Sequence, residues 1–355
     1  MNISIISLGG IDNFGERAIL FGTIIELRKK YPSAKIAIHG YKNLKEKDHH
    51  LYNKLRENSI CICESIINSK SLCSKICSIF SLFLKIRPRH LILEEYEYLK
   101  KADAIYSKGK ESFTNSYGFK FFVDSFLGFY LVSRLNKNVI LYGHSIGPFD
   151  TRLERFIVKH VCKKVKKIYV RDSESLKELK KIKSDERVEL IKDFAFKAVE
   201  AISTELCVEK KKQAIVVPNA ALLKKRYKDK TIYLENVGII IKKLIDSERK
   251  VILLSSVIAN DWNDDYQLCY YFKNKYPEVE LRKHLSLVEL LMDIKESEII
   301  ISSRLHPLIL GYGLSVKLVA LNANLKVKGI MKDLHLEKNI IDPFIKDNLQ
   351  KFELI

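Results

Sequence analysis

Short apolar runs alternate with segments of helical periodicity along the whole 355-residue chain, and this alternation limits the possible folds more than any other feature. Each run is only a few residues long and is rich in isoleucine, valine and leucine, as in a strand buried on both faces. A helix between successive strands favours parallel pairing, with helices covering the faces of the sheet. The pattern predicts strands at residues 3–9, 34–40, 102–109, 138–148, 167–172, 214–220, 249–257, 279–284, 297–303 and 316–322.

The length of the chain predicts two domains. A chain of 355 residues exceeds the size at which a single hydrophobic core usually stops growing. The polar stretch STELCVEKKKQ, residues 203–213, is the best linker candidate. We therefore expect two Rossmann-like parallel-sheet α/β domains, at residues 1–202 and 203–355, with the last helix a candidate for packing back on the first domain.

The formal net charge of +19 attracts anions. Because the lysines are spread over many predicted helices, without a nucleic-acid-binding motif or an aromatic platform, we predict no nucleic-acid partner. Phosphorylated substrates and an anionic membrane surface remain. The apolar stretch within residues 76–89 is too short to span a bilayer and is the candidate for peripheral membrane contact.

Cysteine use and the first residues indicate the compartment. The seven cysteines include no paired CxxC of a zinc site, so we predict free thiols in a reducing cytosol and no metal site. The start MNISIISLGG predicts a first strand and not a signal peptide. We expect a cytoplasmic protein, with peripheral contact at the inner face of the membrane as an option.

Conspicuous polar residues follow several predicted strands directly. Ligands of open parallel sheets bind beyond the carboxyl ends of the strands. The residues in such positions are Asn13, Gly15, His144, Ser145, Arg171, Asp172, Arg304 and His306. With two such domains, the strand ends of each can face a common cleft, as in the twin-domain architecture of many glycosyltransferases.

The segment SSRLHP, residues 302–307, is the most informative of these. The guanidinium of Arg304 is a planar fork that suits carboxylate or phosphate oxygens. A histidine such as His306 can donate a proton near neutral pH, and general acid catalysis contributes about 10²–10⁴-fold. The alternative interpretation is a core histidine bonded to the backbone.

Three further segments are compatible with anion binding or with plain turns. Residues 9–20, GGIDNFGERAIL, lead into a helix start, where backbone N–H groups favour an anion. GHSIGPF, residues 143–149, and YVRDSES, residues 169–175, each follow a strand, and Ser173 is the predicted helix N-cap. Lys326 follows the last predicted strand and also suits an anion.

Taken in order, these segments resemble the polysaccharide pyruvyl transferase family. The resemblance spans almost the whole chain, although His144 stands where the family pattern has glutamine and Glu16 where aspartate is usual. The matching segments are NFGERAI (13–19), GHSIGPF (143–149), VRDSES (170–175), DFAF (193–196), SSRLHPLILGYG (302–313) and KVKGIMKDL (326–334).

The resemblance implies that phosphoenolpyruvate is the donor and that the product is a pyruvate ketal on a sugar of a cell-surface glycan or its lipid-linked precursor. It also implies a GT-B-like fold, similar to that of the GT-B glycosyltransferases, and no cofactor. His306 would be the general acid, and Arg304 and Arg171 would hold the donor's carboxylate and phosphate. The remaining implied residues are Lys326 and Ser145 at the donor, and Asn13, Gly15, Arg17 and His144 along the cleft.

Two other functions compete with this prediction. A glycosyltransferase with a nucleotide-sugar donor needs an acidic residue at the ribose, and Glu289 or Glu296 could serve. A non-catalytic scaffold of glycan assembly predicts loss of the catalytic groups, which the intact Arg304 and His306 argue against.

Overall fold

The computed structural model describes most of the chain. The described residues are 1–7, 11–41, 43–63, 76–77, 79–81, 93–114, 118–182, 187–225, 227–257, 264–284, 286–321, 325–345 and 349. Most of the expected membrane-contact stretch within 76–89, and the end of the chain where the last helix was expected, lie outside these residues. Among the described helices, none combines the length and the apolar character needed to cross a bilayer.

The chain divides into two compact units. The first contains Met1–Ile11 and Ile19–Phe194, and the second contains Asp12–Ala18 and Ala195–Ile355. The division after Phe194 precedes the predicted one after residue 202.

Contacts of the helix Phe194–Ser203 explain the earlier division. Its Phe196 ring meets Tyr312 edge-on at 6.0 Å. The ammonium of Lys295 donates to the carbonyls of Ser203 (3.1 Å) and Leu206 (2.6 Å). The expected linker is therefore tied into the second unit, and its last residues begin a strand.

In the described residues of the first unit, eight strands form the sheet, and every pairing between them is parallel. Their order is β3-β2-β1-β4-β6-β7-β8, and the short β5 pairs with β6. The strands are β1 (Asn2–Ile6), β2 (Lys35–His39), β3 (Cys61–Cys63), β4 (Ala104–Lys108), β5 (Glu111–Ser112), β6 (Val139–Ile146), β7 (Lys167–Val170) and β8 (Val188–Leu190).

Within its described residues, this part of the chain has seven helices whose bounds the structure gives in full. They are α1 (Phe14–Lys30), whose first turn belongs to the second unit, α2 (Leu44–Lys47), α3 (His49–Glu57), α4 (Leu93–Lys101), α5 (Phe119–Leu135), α6 (Arg152–Lys164) and α7 (Ser173–Ile182). The side chains of Phe122 and Phe129 of α5, Val158 of α6 and Leu141 of β6 are buried in one core. These helices therefore cover the sheet through apolar packing.

Five parallel strands form the second sheet, in the order β11-β10-β9-β12-β13. The strands are β9 (Lys211–Val217), β10 (Lys250–Leu254), β11 (Glu280–Arg282), β12 (Ser297–Ser302) and β13 (Lys317–Ala320). The helices are α8 (Phe194–Ser203), α9 (Ala220–Lys225), α10 (Lys230–Asp246), α11 (Tyr266–Lys275), α12 (Leu287–Glu296), α13 (Leu305–Gly313) and α14 (Leu325–Asp333). Short 3-10 turns lie at Tyr227–Asp229 and Glu337–Asn339.

The predicted fold class of two parallel-sheet α/β units is confirmed, and each of the ten predicted strands overlaps a strand of the structure. Nine of them are shorter than predicted, whereas β9 has the predicted length but begins three residues earlier, at Lys211. Three further strands, β3, β5 and β8, have only two or three residues, which is too short to show a periodicity. The prediction of Ser173 as N-cap is wrong. The helix already begins at Ser173, and a carboxylate oxygen of Asp172 accepts from the backbone N–H of Ser175 at 2.7 Å, so Asp172 caps it.

Candidate functional site

The turn from β12 to α13 holds Arg304 at the carboxyl end of the second sheet. Arg304 is the residue before the first turn of α13 and has an extended backbone (φ −106°, ψ 142°). The hydroxyl of Ser302 accepts from the N–H of Arg304 (3.0 Å) and donates to its carbonyl (2.7 Å). This pair of bonds fixes the direction in which the Arg304 side chain leaves the sheet.

Arg304 forms a bidentate ion pair with Asp265. Its Nε donates to Oδ2 at 2.9 Å and its Nη2 to Oδ1 at 2.6 Å, and Oδ1 also accepts from the N–H of Ala220 at 3.0 Å. The Asp265 side chain is fully buried, whereas 15% of the Arg304 side chain is exposed. Burial raises the pKa of the Asp265 carboxyl, and the guanidinium opposes that rise. The pair fixes the orientation of the guanidinium plane.

A buried hydrogen-bonded group supports this turn from behind. The phenol oxygen of Tyr233 lies 3.0 Å from the hydroxyl of Ser303 and accepts from the N–H of Asn219 at 3.0 Å. The Asn219 amide donates to the carbonyl of Ser303 at 3.2 Å. Burial raises the pKa of Tyr233, so the phenol stays neutral. The strand end that carries Arg304 is thus braced by uncharged groups from β9 and α10.

The position of this cluster in the sheet is informative. The strand order of the second sheet reverses between β9 and β12, which are paired neighbours. Asn219 follows β9, and Arg304 follows β12. The crevice outside such a reversal is where ligands of open α/β sheets bind.

His306 lies in the first turn of α13, against the backbone of Gly15. A Cβ atom added to Gly15 would come within 2.1 Å of the imidazole Cγ and 2.2 Å of Nδ1. The Gly15 N–H donates to the side-chain oxygen of Asn13 at 2.7 Å, and Asn13 forms a bridge to Val257 in the same unit. The structure therefore brings Asn13, Gly15 and His306 together.

The remaining predicted residues of the second unit occupy two different places. The Arg17 guanidinium lies over the Phe14 ring, 4.4 Å from its centroid, and Arg17 is buried. Lys326 is half-buried in the first turn of α14. Because α14 follows β13, the neighbour of β12, Lys326 lies at the same edge of the sheet as Arg304.

Arg171 and Ser145 meet in the first unit. Nε of Arg171 donates to the Ser145 hydroxyl at 2.8 Å, and that hydroxyl donates to Asp172 at 2.6 Å. Nη1 of Arg171 donates to a carboxylate oxygen of Asp193 at 2.8 Å, and both side chains of this ion pair are buried. The cluster lies between β6 and β7, which is not the point at which the first sheet reverses its strand order.

His144 contacts this cluster through its backbone, because its carbonyl accepts from the N–H of Arg171 at 3.2 Å. Its imidazole is fully buried, and Nε2 lies 2.9 Å from the carbonyl and 3.1 Å from the hydroxyl of Ser107 on β4.

Sequence reasoning did not assign the aspartate partners of the two arginines. Asp265 belongs to an acidic pair, Asp264 and Asp265, that follows the predicted strand 249–257, and Asp193 belongs to the matching segment DFAF. Their pairing with arginines depends on tertiary contacts between distant segments.

The acidic residues that a nucleotide-sugar donor would need have other partners. Glu289 forms a capping box with Ser286 at the start of α12, in which its carboxylate accepts from the Ser286 N–H at 3.2 Å. Glu296 pairs with Lys211 at 2.7 Å. Across the described residues, no group of three or more histidine, cysteine, aspartate or glutamate side chains could hold a metal ion.

Comparisons with known proteins identify a family and a fold. A family model described as polysaccharide pyruvyl transferase matches residues 13–324. No curated protein matches the sequence.

Solved structures share the fold at low sequence identity. The UDP-GlcNAc 2-epimerase of Methanocaldococcus jannaschii in complex with UDP-GlcNAc and UDP has a TM-score of 0.60 and 14% identity, over 99% of this chain and 91% of that one. The UDP-GlcNAc 2-epimerase of Neisseria meningitidis bound to UDP-GlcNAc has a TM-score of 0.55 and 12% identity, over 99% of this chain and 98% of that one. The UDP-N-acetylglucosamine 2-epimerase of Rickettsia bellii has a TM-score of 0.55 and 9% identity, over 99% of this chain and 86% of that one. These likenesses establish a GT-B-like fold with two parallel-sheet units.

Proposed function

Because this chain belongs to the polysaccharide pyruvyl transferase family, we propose that it transfers the pyruvyl group of phosphoenolpyruvate to a sugar of a cell-surface glycan or of its lipid-linked precursor, forming a pyruvate ketal. The observation that carries the proposal is the pairing of a fixed cation and an imidazole at one helix start. Arg304 is held there by Asp265, and His306 is held against Gly15.

The donor carries a carboxylate and a phosphate, and this end of the sheet suits both. The fork of Arg304 matches a planar or tetrahedral oxyanion, and Asp265 fixes its orientation before the donor arrives. The start of α13 adds backbone N–H groups and the positive end of the helix dipole. In the proposal, Lys326 supplies a further cation at the same edge.

His306 acts in the proposal as the general acid. It delivers a proton to the methylene carbon of the enol, which becomes a methyl group and leaves an oxocarbenium-like centre at the neighbouring carbon. One sugar hydroxyl attacks that centre, and its proton returns to the imidazole. A second hydroxyl then displaces phosphate and closes the ketal, and its proton leaves with the phosphate, which is the second product.

Arg171 and Ser145 have a smaller part in this proposal. Charge alone does not rank the two arginines, because each is paired with a buried aspartate, Arg171 with Asp193 and Arg304 with Asp265. Arg304 is more exposed and lies at the reversal of strand order, so we assign it the larger share of donor binding.

A nucleotide-sugar donor is the second candidate, because the structural neighbours include epimerases bound to UDP-GlcNAc. At 14% identity this likeness concerns the fold alone. The engagement of Glu289 in a helix cap and of Glu296 with Lys211 argues against it.

Thermal unfolding with phosphoenolpyruvate, UDP or inorganic phosphate separates these donors. At about 100 times its dissociation constant, a ligand that binds only the folded chain adds about 2.7 kcal/mol to the free energy of unfolding. We expect phosphoenolpyruvate to raise the wild-type midpoint, and we expect Arg304→Lys, which loses the bidentate fork, to abolish most of that rise.

Arg249→Lys is the matched control. Arg249 also pairs with a carboxylate, that of Glu298 at 3.0 Å, but it precedes β10 and so lies at the amino end of the same sheet. This variant should keep the wild-type response. Stabilisation by UDP without stabilisation by phosphoenolpyruvate would overturn the proposed donor in favour of a nucleotide sugar.

A further inference from the structure

Three large apolar side chains are exposed at the starts of α5 and α6. The exposed fractions are 47% for Phe119, 53% for Leu153 and 69% for Phe156. Single exposed apolar residues are common in soluble proteins, so their significance depends on whether they lie together.

Contacts between the two helices place their starts next to each other. The rings of Phe126 on α5 and His160 on α6 lie 6.5 Å apart, and the ammonium of Lys164 lies 5.2 Å from the centroid of Tyr130. The two helices therefore run side by side in the same direction. Phe119 lies seven residues, or about two turns, before Phe126 on α5, and Leu153 lies the same distance before His160 on α6. These two residues are therefore at the same height along the paired helices.

Exposed basic side chains accompany these apolar residues at the starts of the two helices. Those exposed at the same helix ends are Lys120, Arg152, Arg155 and Lys159. Glu154, the acidic residue of the first turn of α6, is buried, and its carboxylate accepts from the N–H groups of Asp150 and Thr151. Asp150 itself is exposed. We call Phe119, Lys120, Arg152, Leu153, Arg155, Phe156 and Lys159 the helix-start surface.

We propose that the helix-start surface docks the protein on an anionic lipid bilayer. Exposed phenylalanine and leucine enter the boundary between headgroups and acyl chains, while lysine and arginine bind the anionic headgroups. The net charge of +19 adds attraction at longer range. An aqueous protein partner would need a complementary acidic and apolar surface, whereas a bilayer offers both features everywhere.

The location of the surface agrees with a lipid-linked acceptor. Since α6 follows β6, its start lies at the carboxyl end of the first sheet, as do Ser145 and Arg171. This link to the acceptor rests on the proposed function, but docking itself does not.

Flotation of the full-length protein with lipid vesicles tests the docking. We expect the wild type to float with phosphatidylcholine vesicles that contain phosphatidylglycerol, at low salt, and to stay behind with phosphatidylcholine alone. The double variant Leu153→Ala/Phe156→Ala should weaken this binding about tenfold or more, because both side chains lose their burial in lipid. Lys159→Gln should weaken it about fivefold.

Two controls match these variants. Ile239→Ala removes an apolar side chain that is 45% exposed on α10 of the second unit, and Lys35→Gln removes an exposed charge at the amino end of the first sheet. Both should float like the wild type. Unfolding midpoints establish that every variant folds, and stabilisation by phosphoenolpyruvate is measured separately, so failure of docking and failure of the proposed donor are distinguishable.

Three results would overturn the proposal. The first is absence of wild-type binding to the anionic vesicles, and the second is equal binding by the double variant. The third is a wild-type dimer in sedimentation that the double variant converts to monomer without any vesicle binding, which would assign the surface to a second copy of the chain.

Discussion

The backbone of Gly15 lies against the His306 imidazole, so that a residue with a side chain at this position would clash with the ring. A Cβ atom there would lie 2.1 Å from Cγ of the ring, far inside ordinary contact distance. Gly15→Ala must therefore displace the imidazole. A misplacement of about 1 Å can slow a reaction about 10²-fold, so we expect a loss of that order in kcat of pyruvyl transfer, with little change in KM for phosphoenolpyruvate.

Gly313→Ala is the control for crowding alone. Its Cβ would come 2.9 Å from Val199 Cγ1, at the opposite end of α13 from His306. Steady-state kinetics of both variants, with NMR spectra of the labelled imidazole, separate the two effects. Equal losses of kcat, or an unmoved His306 signal in Gly15→Ala, would mean that Gly15 serves packing only.

The site residues differ in how far the sequence could predict them. Arg304 and His306 could be found because they directly follow a strongly apolar strand, where ligand-binding residues of α/β sheets collect. The contact of Gly15 with His306 could not, because it joins segments from opposite ends of the chain. The aspartate partners could not be predicted either, because Asp265 and Asp193 lie 39 and 22 residues along the chain from their arginines and meet them only through tertiary contacts.

At the scale of elements, the long strands could be predicted because their apolar runs are clear, whereas the edge strands could not. β3 and β8 have three residues each and lie at the two edges of the first sheet, where burial is incomplete. Helix starts were uncertain by one residue, as Asp172 and Ser173 show, because both residue types cap helices well.

The packing of β2 against β1 and α4 buries a histidine whose protonation should weaken the fold. His39 ends β2, its Nε2 lies 3.2 Å from the Ser4 hydroxyl, and its Nδ1 lies 3.9 Å from Oε1 of the buried Glu95. Burial lowers the pKa of His39 from 6.5 to about 4.

Acid should destabilise the chain through His39. Between pH 6.5 and about 4, the unfolded chain binds a proton at His39 that the folded chain does not. The free energy of unfolding should therefore decrease as the pH is lowered through this window. This group contributes up to about 1.4 kcal/mol per pH unit. Urea unfolding at several pH values measures the slope, and His39→Gln should reduce it.

His50→Gln, which removes an exposed histidine of the same unit, is the control for loss of an imidazole. A wild type and a His39→Gln variant that lose stability in parallel over this window would show that His39 is not the group that takes up the proton.

At the scale of the whole molecule, each unit pairs an arginine at a strand end with a buried aspartate. The pairs are Arg171–Asp193 and Arg304–Asp265, and both aspartate side chains are at most 1% exposed. Truncating either arginine would leave a buried carboxylate without its partner, at a cost of about 3–5 kcal/mol. Loss of activity in an alanine variant of either arginine would therefore not distinguish catalysis from folding, which is why lysine is the better replacement.

The division of the chain into units shows what a linear pattern cannot reveal. Polar composition favoured a boundary at residues 203–213, but buried contacts of α8 decide it earlier. Residues 12–18 belong to the second unit because Phe14 meets the ring of His284 edge-on at 6.2 Å. The amino-acid composition of residues 12–18 does not indicate that they pack against residues so far along the chain.

The excess of basic residues makes a further prediction about anions. With 62 lysine and arginine residues against 43 acidic ones, the full chain should bind short duplex DNA at low ionic strength without sequence preference. Such binding depends on released counterions and should disappear at physiological salt. Fluorescence anisotropy with two unrelated duplexes over a salt series measures it, and Arg304→Lys should bind DNA like the wild type.

Stabilisation by phosphoenolpyruvate should persist at the salt concentration that releases DNA. Arg304 is only 15% exposed, so ions screen its interaction with a bound anion less than they screen the surface lysines. DNA binding that survives this salt, or that differs between the two duplexes, would contradict a diffuse attraction and would require a built nucleic-acid site. Loss of both ligands at the same salt would place phosphoenolpyruvate among the diffusely attracted anions.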